Sequence, residues 1–172
     1  MAALRTLLDQ TILPQLVGKD AWAHQNWWNE IYLSRHQIGL NGPAVQGVSA
    51  PEVAAWDLIA KAAEKPLWML VGGDFRGRVP CYDTNCGWLG YSCKELVDNV
   101  KRSVEEGFRC VKVKIGSEDF NRDLRRLEAV RKAIGSEIQI ATDVNSRWDL
   151  QTALKCAPAL SDFDIAWLEE PL

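Results

Sequence analysis

Two lysines one residue apart are the first residues here whose type and spacing suggest chemistry. The segment CVKVKI at 110–115 sets Lys112 and Lys114 between Val111, Val113 and Ile115. In an extended strand, residues two apart share a face, so the apolar side chains point one way and both lysines the other. Ammonium groups held that close disfavour each other's charge, which lowers the pKa of one or both. A lysine brought towards neutrality serves as a general base. Taken alone, the segment reads more readily as a half-exposed strand with a solvated lysine face. Two downstream segments change that balance. ATDVNSRW ends a strand on Asp143 with Asn145 on the same face, and WLEEP ends the following strand on Glu169. Each acid alone would read as a helix cap or first-turn acid. Charged residues ending three successive strands point instead to a site. Carboxylates at neighbouring strand ends converge as hard oxygen ligands, a set that suits Mg²⁺.

The elements that position these residues alternate. Strands are predicted at 79–84, 110–115, 138–143 and 164–169, with helices around 93–106, 119–134 and 149–160. Strand starts lie about 26–31 residues apart, the size of a βα unit. Such repetition argues for α/β architecture with a parallel sheet, either a barrel or a doubly wound sheet. A complete (β/α)8 barrel needs about 250 residues, so a barrel here is half of one. In a barrel, both lysines project inward near the strand ends, where active sites lie. The doubly wound alternative, a nucleotide-binding domain, is disfavoured because GxGxxG and GxxxxGK[ST] are absent.

The preceding segment reads as helical. Residues 3–16 set Leu4, Leu7, Leu8, Ile12 and Leu16 on one stripe, with Pro14 near the end. Asp20 is the expected cap of a second helix whose apolar positions include Trp22, Trp27, Trp28, Ile31 and Tyr32. Gln37–Gly47 reads as a loop. A third helix is expected over 48–64, with Ser49 as cap, Pro51 in the first turn and Glu52 as first-turn acid. VGGDFRGR at 71–78 reads as a connector. The division implied is 1–78 and 79–172.

Composition excludes several functions. The 172 residues are 47% hydrophobic and 25% charged, with a net charge of −3. Lys and Arg are dispersed, so no nucleic-acid stripe is present, and no apolar run reaches membrane-spanning length. The N-terminal helix lacks a basic n-region and a cleavage site, and so is not read as a signal peptide. Cys81, Cys86, Cys93, Cys110 and Cys156 are odd in number and form no CxxC pair. They predict reduced thiols in the cytoplasm, with the mitochondrial matrix as the alternative. The eight tryptophans are expected mainly as packing residues. His24 and His36 fall in the helical part and read as surface or core residues.

KVKIG, TDVN and WLEEPL, in that order, resemble the mandelate racemase and muconate-lactonizing group of the enolase superfamily. GKDAWAHQNWWNEIY and AAWDLIAKAAEKPLWMLVGG resemble that group's capping-domain helices and the crossover into its barrel, so the likeness covers nearly the whole chain. It implies the helical part of a capping domain followed by the first half of a modified (β/α)8 barrel. It makes Lys114 the proton-abstracting base, with Lys112 the neighbour that tunes it. Asp143 and Glu169 become two Mg²⁺ ligands, and Asn145 a hydrogen-bonding partner of the substrate or of a metal-bound oxygen. Glu170, on the other strand face, supports at most. The group's third metal ligand and its His–Asp partners have no counterpart in this chain.

The chemistry implied is that of the superfamily, proton abstraction α to a carboxylate with Mg²⁺ offsetting the developing charge. CGWLGYS and DVNSRWD are further similar to sugar-acid dehydratases of the L-fuconate dehydratase kind. On that likeness Trp88 lines the mouth of a sugar-acid site and Arg147 contacts the substrate. A packed WLGY loop and an exposed helix-start arginine are the plainer readings of the same residues. Racemase, epimerase and cycloisomerase outcomes stay open, as does a non-catalytic truncated product that binds a partner. The chain alone is expected to be inactive and poorly soluble, and a homo-oligomer of a full-length form is left open.

Overall fold

A computed structural model describes residues 2–34, 42–73 and 77–172. The chain divides into two units, Met1–Gly77 and Arg78–Leu172.

The first unit is helical. Helix α1 (Ala2–Leu7) runs through a π-helical stretch at Leu8–Ile12 into α2 (Leu13–Leu16). Asp20 accepts a hydrogen bond from the Trp22 amide and so caps a short 3-10 turn, which leads into α3 (His24–Leu33). Helix α4 (Pro43–Ala62) and the short α5 (Leu67–Leu70) complete the unit. Its core gathers Ile12, Trp27, Ile31, Val48 and Ala55.

Helix α4 departs from the sequence reading. It starts at Pro43, so residues 43–47, expected in a loop, are helical. A β-carbon at Gly47 would lie 2.8 Å from Ile12 Cδ1, so this glycine permits close helix packing rather than a turn. Ser49 is therefore not a cap; its hydroxyl donates to the Gln46 carbonyl, and Pro51 sits within the helix. Residues 37–41 of the expected loop, and His36, lie outside the described residues.

The second unit alternates strand and helix: β1 (Asp83–Gly87), α6 (Cys93–Glu105), β2 (Cys110–Lys114), α7 (Phe120–Ile134), β3 (Gln139–Asp143), α8 (Leu150–Cys156) and β4 (Ile165–Glu169). The four strands are parallel and adjacent in chain order. Each helix start is fixed locally. Ser92 and Glu95 form a reciprocal capping box on α6, Asp119 caps α7 and Asp149 caps α8. The helices bury Leu96 and Val100, Leu127 and Val130, and Ala153 and Cys156 in one core with Val111, Val113, Ile115 and Ile140. Burial of this apolar area is the main stabilising term.

Two boundaries move. The first strand was expected at 79–84 but pairs only from Asp83. Val79 is exposed, and Pro80 has no N–H to donate to a ladder. After α8 the chain continues as a 3-10 helix over Ala157–Phe163, with Pro158 in its first turn. Of the eight tryptophans Trp27 and Trp148 are buried, Trp28 and Trp56 are half-buried, and the other four are exposed. All five cysteines are free thiols, three of them buried. Among the described residues no helix is long and apolar enough to cross a membrane.

Candidate active site

Strand register assembles the site. On β2 and β3, Lys114 stands opposite Asp143; on β3 and β4, Asp143 stands opposite Glu169. Three charged residues thus form one row across three strand ends, with Lys112 two residues earlier on β2. Val111 and Val113 occupy the opposite face and are fully buried, as the alternation required.

The row is bonded as well as aligned. Lys114 Nζ lies 2.5 Å from Asp143 Oδ2, and Lys112 Nζ lies 3.2 Å from the same oxygen. Lys112 also donates to Glu169 Oε1 at 2.9 Å. The other oxygen of Asp143, Oδ1, accepts the Asn145 amide at 2.9 Å, from a residue whose φ of 52° is left-handed. Two ammonium groups and two carboxylates balance in charge. The Asp143 side chain is only 1% exposed, so the pairing satisfies a charge that would otherwise be costly to bury.

Electrostatics follow the contacts. Burial opposes charge on Lys112, but its bonds to Glu169 and Asp143 prevail and hold the ammonium above its ordinary range. Lys112 is thus held up by carboxylates from neighbouring strands, which a reading of the two lysines alone leaves out. Burial pushes Asp143 up, yet the bonds from Lys114, the Asn145 amide and Lys112 keep it below the usual carboxylate range. The Lys112 and Trp167 hydrogen bonds hold Glu169 low too.

Aromatic rings flank both lysines. Trp88 lies 5.5 Å from Lys114 Nζ and Tyr82 lies 5.5 Å from Lys112 Nζ, within cation–π range. Gly87 makes the approach of β1 feasible, since a β-carbon there would sit 2.0 Å from the Lys112 carbonyl oxygen. The loop that follows is gripped from α7. Arg126 donates to the carbonyls of Trp88 and Tyr91, and Arg122 to that of Leu89. The main chain of WLGY is thus anchored, while the Trp88 ring remains half exposed beside Lys114.

The other expected residues are placed less closely. The Asn145 side chain donates to Glu170 Oε2 at 3.3 Å, and Glu170 has a φ of 43°, beyond the end of β4. Arg147 is exposed on the loop after β3 and is not drawn into the cluster. His24 packs against Trp56 within the helical unit.

Tyr82, Trp167, Asp123 and Arg126 went unrecognised in the sequence. Trp167 shares a strand face with Glu169, so the two-residue period was its signal. Asp123 and Arg126 lie on the buried stripe of α7 with Leu127 and Val130, where charges are out of place. Asp123 Oδ2 accepts the Gly116 and Ser117 amides and so holds the loop after β2.

Asp143 and Glu169 offer hard oxygen donors from adjacent strands. Among the described residues no group of three His, Cys, Asp or Glu gathers as a metal cluster. A pair of carboxylates, with water or substrate completing the shell, nevertheless fits the coordination that Mg²⁺ favours.

Comparison with known proteins places this α/β arrangement in a family. Residues 2–72 match the mandelate racemase/muconate lactonizing enzyme N-terminal domain, and residues 95–172 match the enolase C-terminal domain-like family. The L-talarate/galactarate dehydratase of Salmonella typhimurium is 35% identical over 94% of this chain and 40% of its own length. A Streptomyces coelicolor racemase solved with bound magnesium superposes with a TM-score of 0.88 at 34% identity, over 99% of this chain and 47% of that one. An L-talarate dehydratase from a Polaromonas species, complexed with Mg and L-glucarate, gives 0.82 at 33% identity, over 99% and 47%. The chain belongs to the mandelate racemase and muconate-lactonizing group of the enolase superfamily. It spans less than half the length of these relatives.

Proposed function

We propose that this chain carries the base and two metal carboxylates of a Mg²⁺-dependent sugar-acid dehydratase. The observation that carries the reading is the in-register row Lys114–Asp143–Glu169, with Lys112 on the same face. In it, Lys114 Nζ takes the proton α to the substrate carboxylate. Asp143 Oδ2 is shared by both ammonium groups, so Lys114 is released as a base only when that oxygen takes another partner. Lys112 stays charged beside it and faces the substrate carboxylate. Asp143 and Glu169 hold Mg²⁺, which when bound offsets the negative charge developing on the substrate. Trp88 walls the site next to the base, while Asn145 and Arg147 stand on the loop after β3 as substrate contacts. Loss of the β-hydroxyl gives a 2-keto-3-deoxy acid, the leaving oxygen being protonated by a group outside this chain.

Similarity to talarate dehydratases supports the dehydratase class rather than L-fuconate in particular. The likeness to a racemase favours a second reading, in which the same base abstracts and the proton is returned. A cytoplasmic location and a small-molecule partner belong to the proposal. The test supplies five- and six-carbon sugar acids with Mg²⁺ to a protein of the relatives' length that carries this segment. A carbonyl reagent should detect a keto acid, absent in Lys114→Ala. Epimerised acid without keto product would establish the racemase reading instead.

A further inference from the structure

The two carboxylates of the row are held in the same manner. Each gives one oxygen to an N–H and the other to lysine. For Asp143 the N–H is the Asn145 amide on Oδ1, while Oδ2 faces both ammonium groups. For Glu169 it is the Trp167 indole, whose Nε1 donates to Oε2 at 3.1 Å, while Oε1 faces Lys112. Glu169 needs that second contact more than Asp143 does. Its side chain is longer and 32% exposed, and the terminal torsion of a glutamate is broad and roughly two-fold. With Lys112 as sole partner the carboxylate plane would be free to turn.

Trp167 is itself braced. Its ring packs edge-on against Tyr82 at 5.1 Å, and the Tyr82 ring lies beside Lys112 Nζ. Contacts therefore close a circuit from Glu169 through Lys112, Tyr82 and Trp167 back to Glu169. Neither aromatic belongs to the buried core of this unit. Trp167 is 36% exposed and donates its single N–H to a charged group. A residue serving only as packing would show the reverse.

We propose that Trp167 is a positioning residue for the Glu169 carboxylate, fixing which oxygen and which lone pairs face Asp143 and the Mg²⁺ that the two acids would hold. The inference deepens the proposed function and rests on the assignment of Glu169 as a ligand. Each oxygen of the Glu169 carboxylate keeps a lone pair beyond the one hydrogen bond described, so the clamp leaves room for the ion.

The test uses a ¹⁵N-labelled protein of the relatives' length that carries this segment, in which each tryptophan gives one indole signal. Trp167→Phe identifies one of them by its loss. That signal should move in Glu169→Gln, where a neutral amide replaces the carboxylate, and again on adding Mg²⁺. Calorimetric Mg²⁺ affinity should fall about tenfold in Trp167→Phe, the low end for loss of a partner behind a ligand. Tyr82→Phe, which keeps the ring, should bind as wild type does. An indole signal indifferent to Glu169→Gln would overturn the inference. So would wild-type affinity in Trp167→Phe when Glu169→Gln binds weakly. If Glu169→Gln itself binds Mg²⁺ normally, the ligand assignment fails, and the indole shift alone still decides whether Trp167 orients the carboxylate.

Discussion

The two units hold themselves together by different means. In the helical unit the described ion pairs are exposed: Arg5 with Asp9 and Lys61 with Asp57 are four residues apart, and Lys19 with Glu30 eleven. Its interior is apolar, built around Ile12, Trp27 and Ile31. The strand unit has exposed pairs such as Lys94 with Asp98 too, but its longest-range polar contacts join distant parts of the chain at half-buried or buried positions. Lys112 reaches Glu169 across 57 residues, and Arg126 reaches Tyr91 across 35. Polar substitutions should therefore be nearly silent in the first unit and severe in the second, because desolvated charge tolerates no missing partner.

The largest effect is expected at Asp143. Asp143→Ala leaves two ammonium groups with one carboxylate, and should destabilise the strand unit by about 3–5 kcal/mol in urea unfolding. A change below about 1 kcal/mol would erase the contrast between units. Arg126→Met comes next. It strips the carbonyls of Trp88 and Tyr91 of their buried donor, and about 2–3 kcal/mol should be lost. The matched change in the helical unit, Arg5→Ala, should alter stability by no more than about 0.5 kcal/mol.

Metal affinity sharpens the contrast within the strand unit. Glu169→Gln should weaken Mg²⁺ binding about 10- to 100-fold, and Glu170→Gln by much less, since Glu170 only accepts from Asn145. Equal losses by calorimetry would show that position along the row does not decide which acid is a ligand. The smallest effect concerns the caps. Hydrogen bonds to Ser92 lower the Glu95 pKa below 4.5, and those to Thr152 lower Asp149 below 3.8. A depressed folded pKa contributes stability that is present above the unfolded value and lost as pH falls through the folded one. Hydrogen exchange at the first turns of α6 and α8 should thus quicken below about pH 4.

How much of this was legible depended on whether the signal was periodic. Lys112, Lys114, Asp143 and Glu169 share a face because strand alternation is strict, and that alternation placed them before any coordinates did. The first strand was misjudged because VPCY is apolar enough for a strand, while the ladder's demand for an N–H excludes Pro80. The start of α4 was missed because Gly47 reads as a turn residue until Ile12 is seen against it. The raised Lys112 was not legible, because its carboxylate partners lie on other strands, invisible to a local count of charge. Trp167 was overlooked although it carried the same two-residue signal as the lysines.

The grip of α7 on the loop after β1 has an evolutionary side. Arg122 and Arg126 hold three backbone carbonyls, atoms that every amino acid possesses. The loop's path is thereby uncoupled from the identity of its side chains. If Trp88 walls the site as proposed, replacing it would change what the site admits without asking the loop to find a new shape. Descendants of such a chain could then vary what the site admits at this position while the lysine beside it keeps its address.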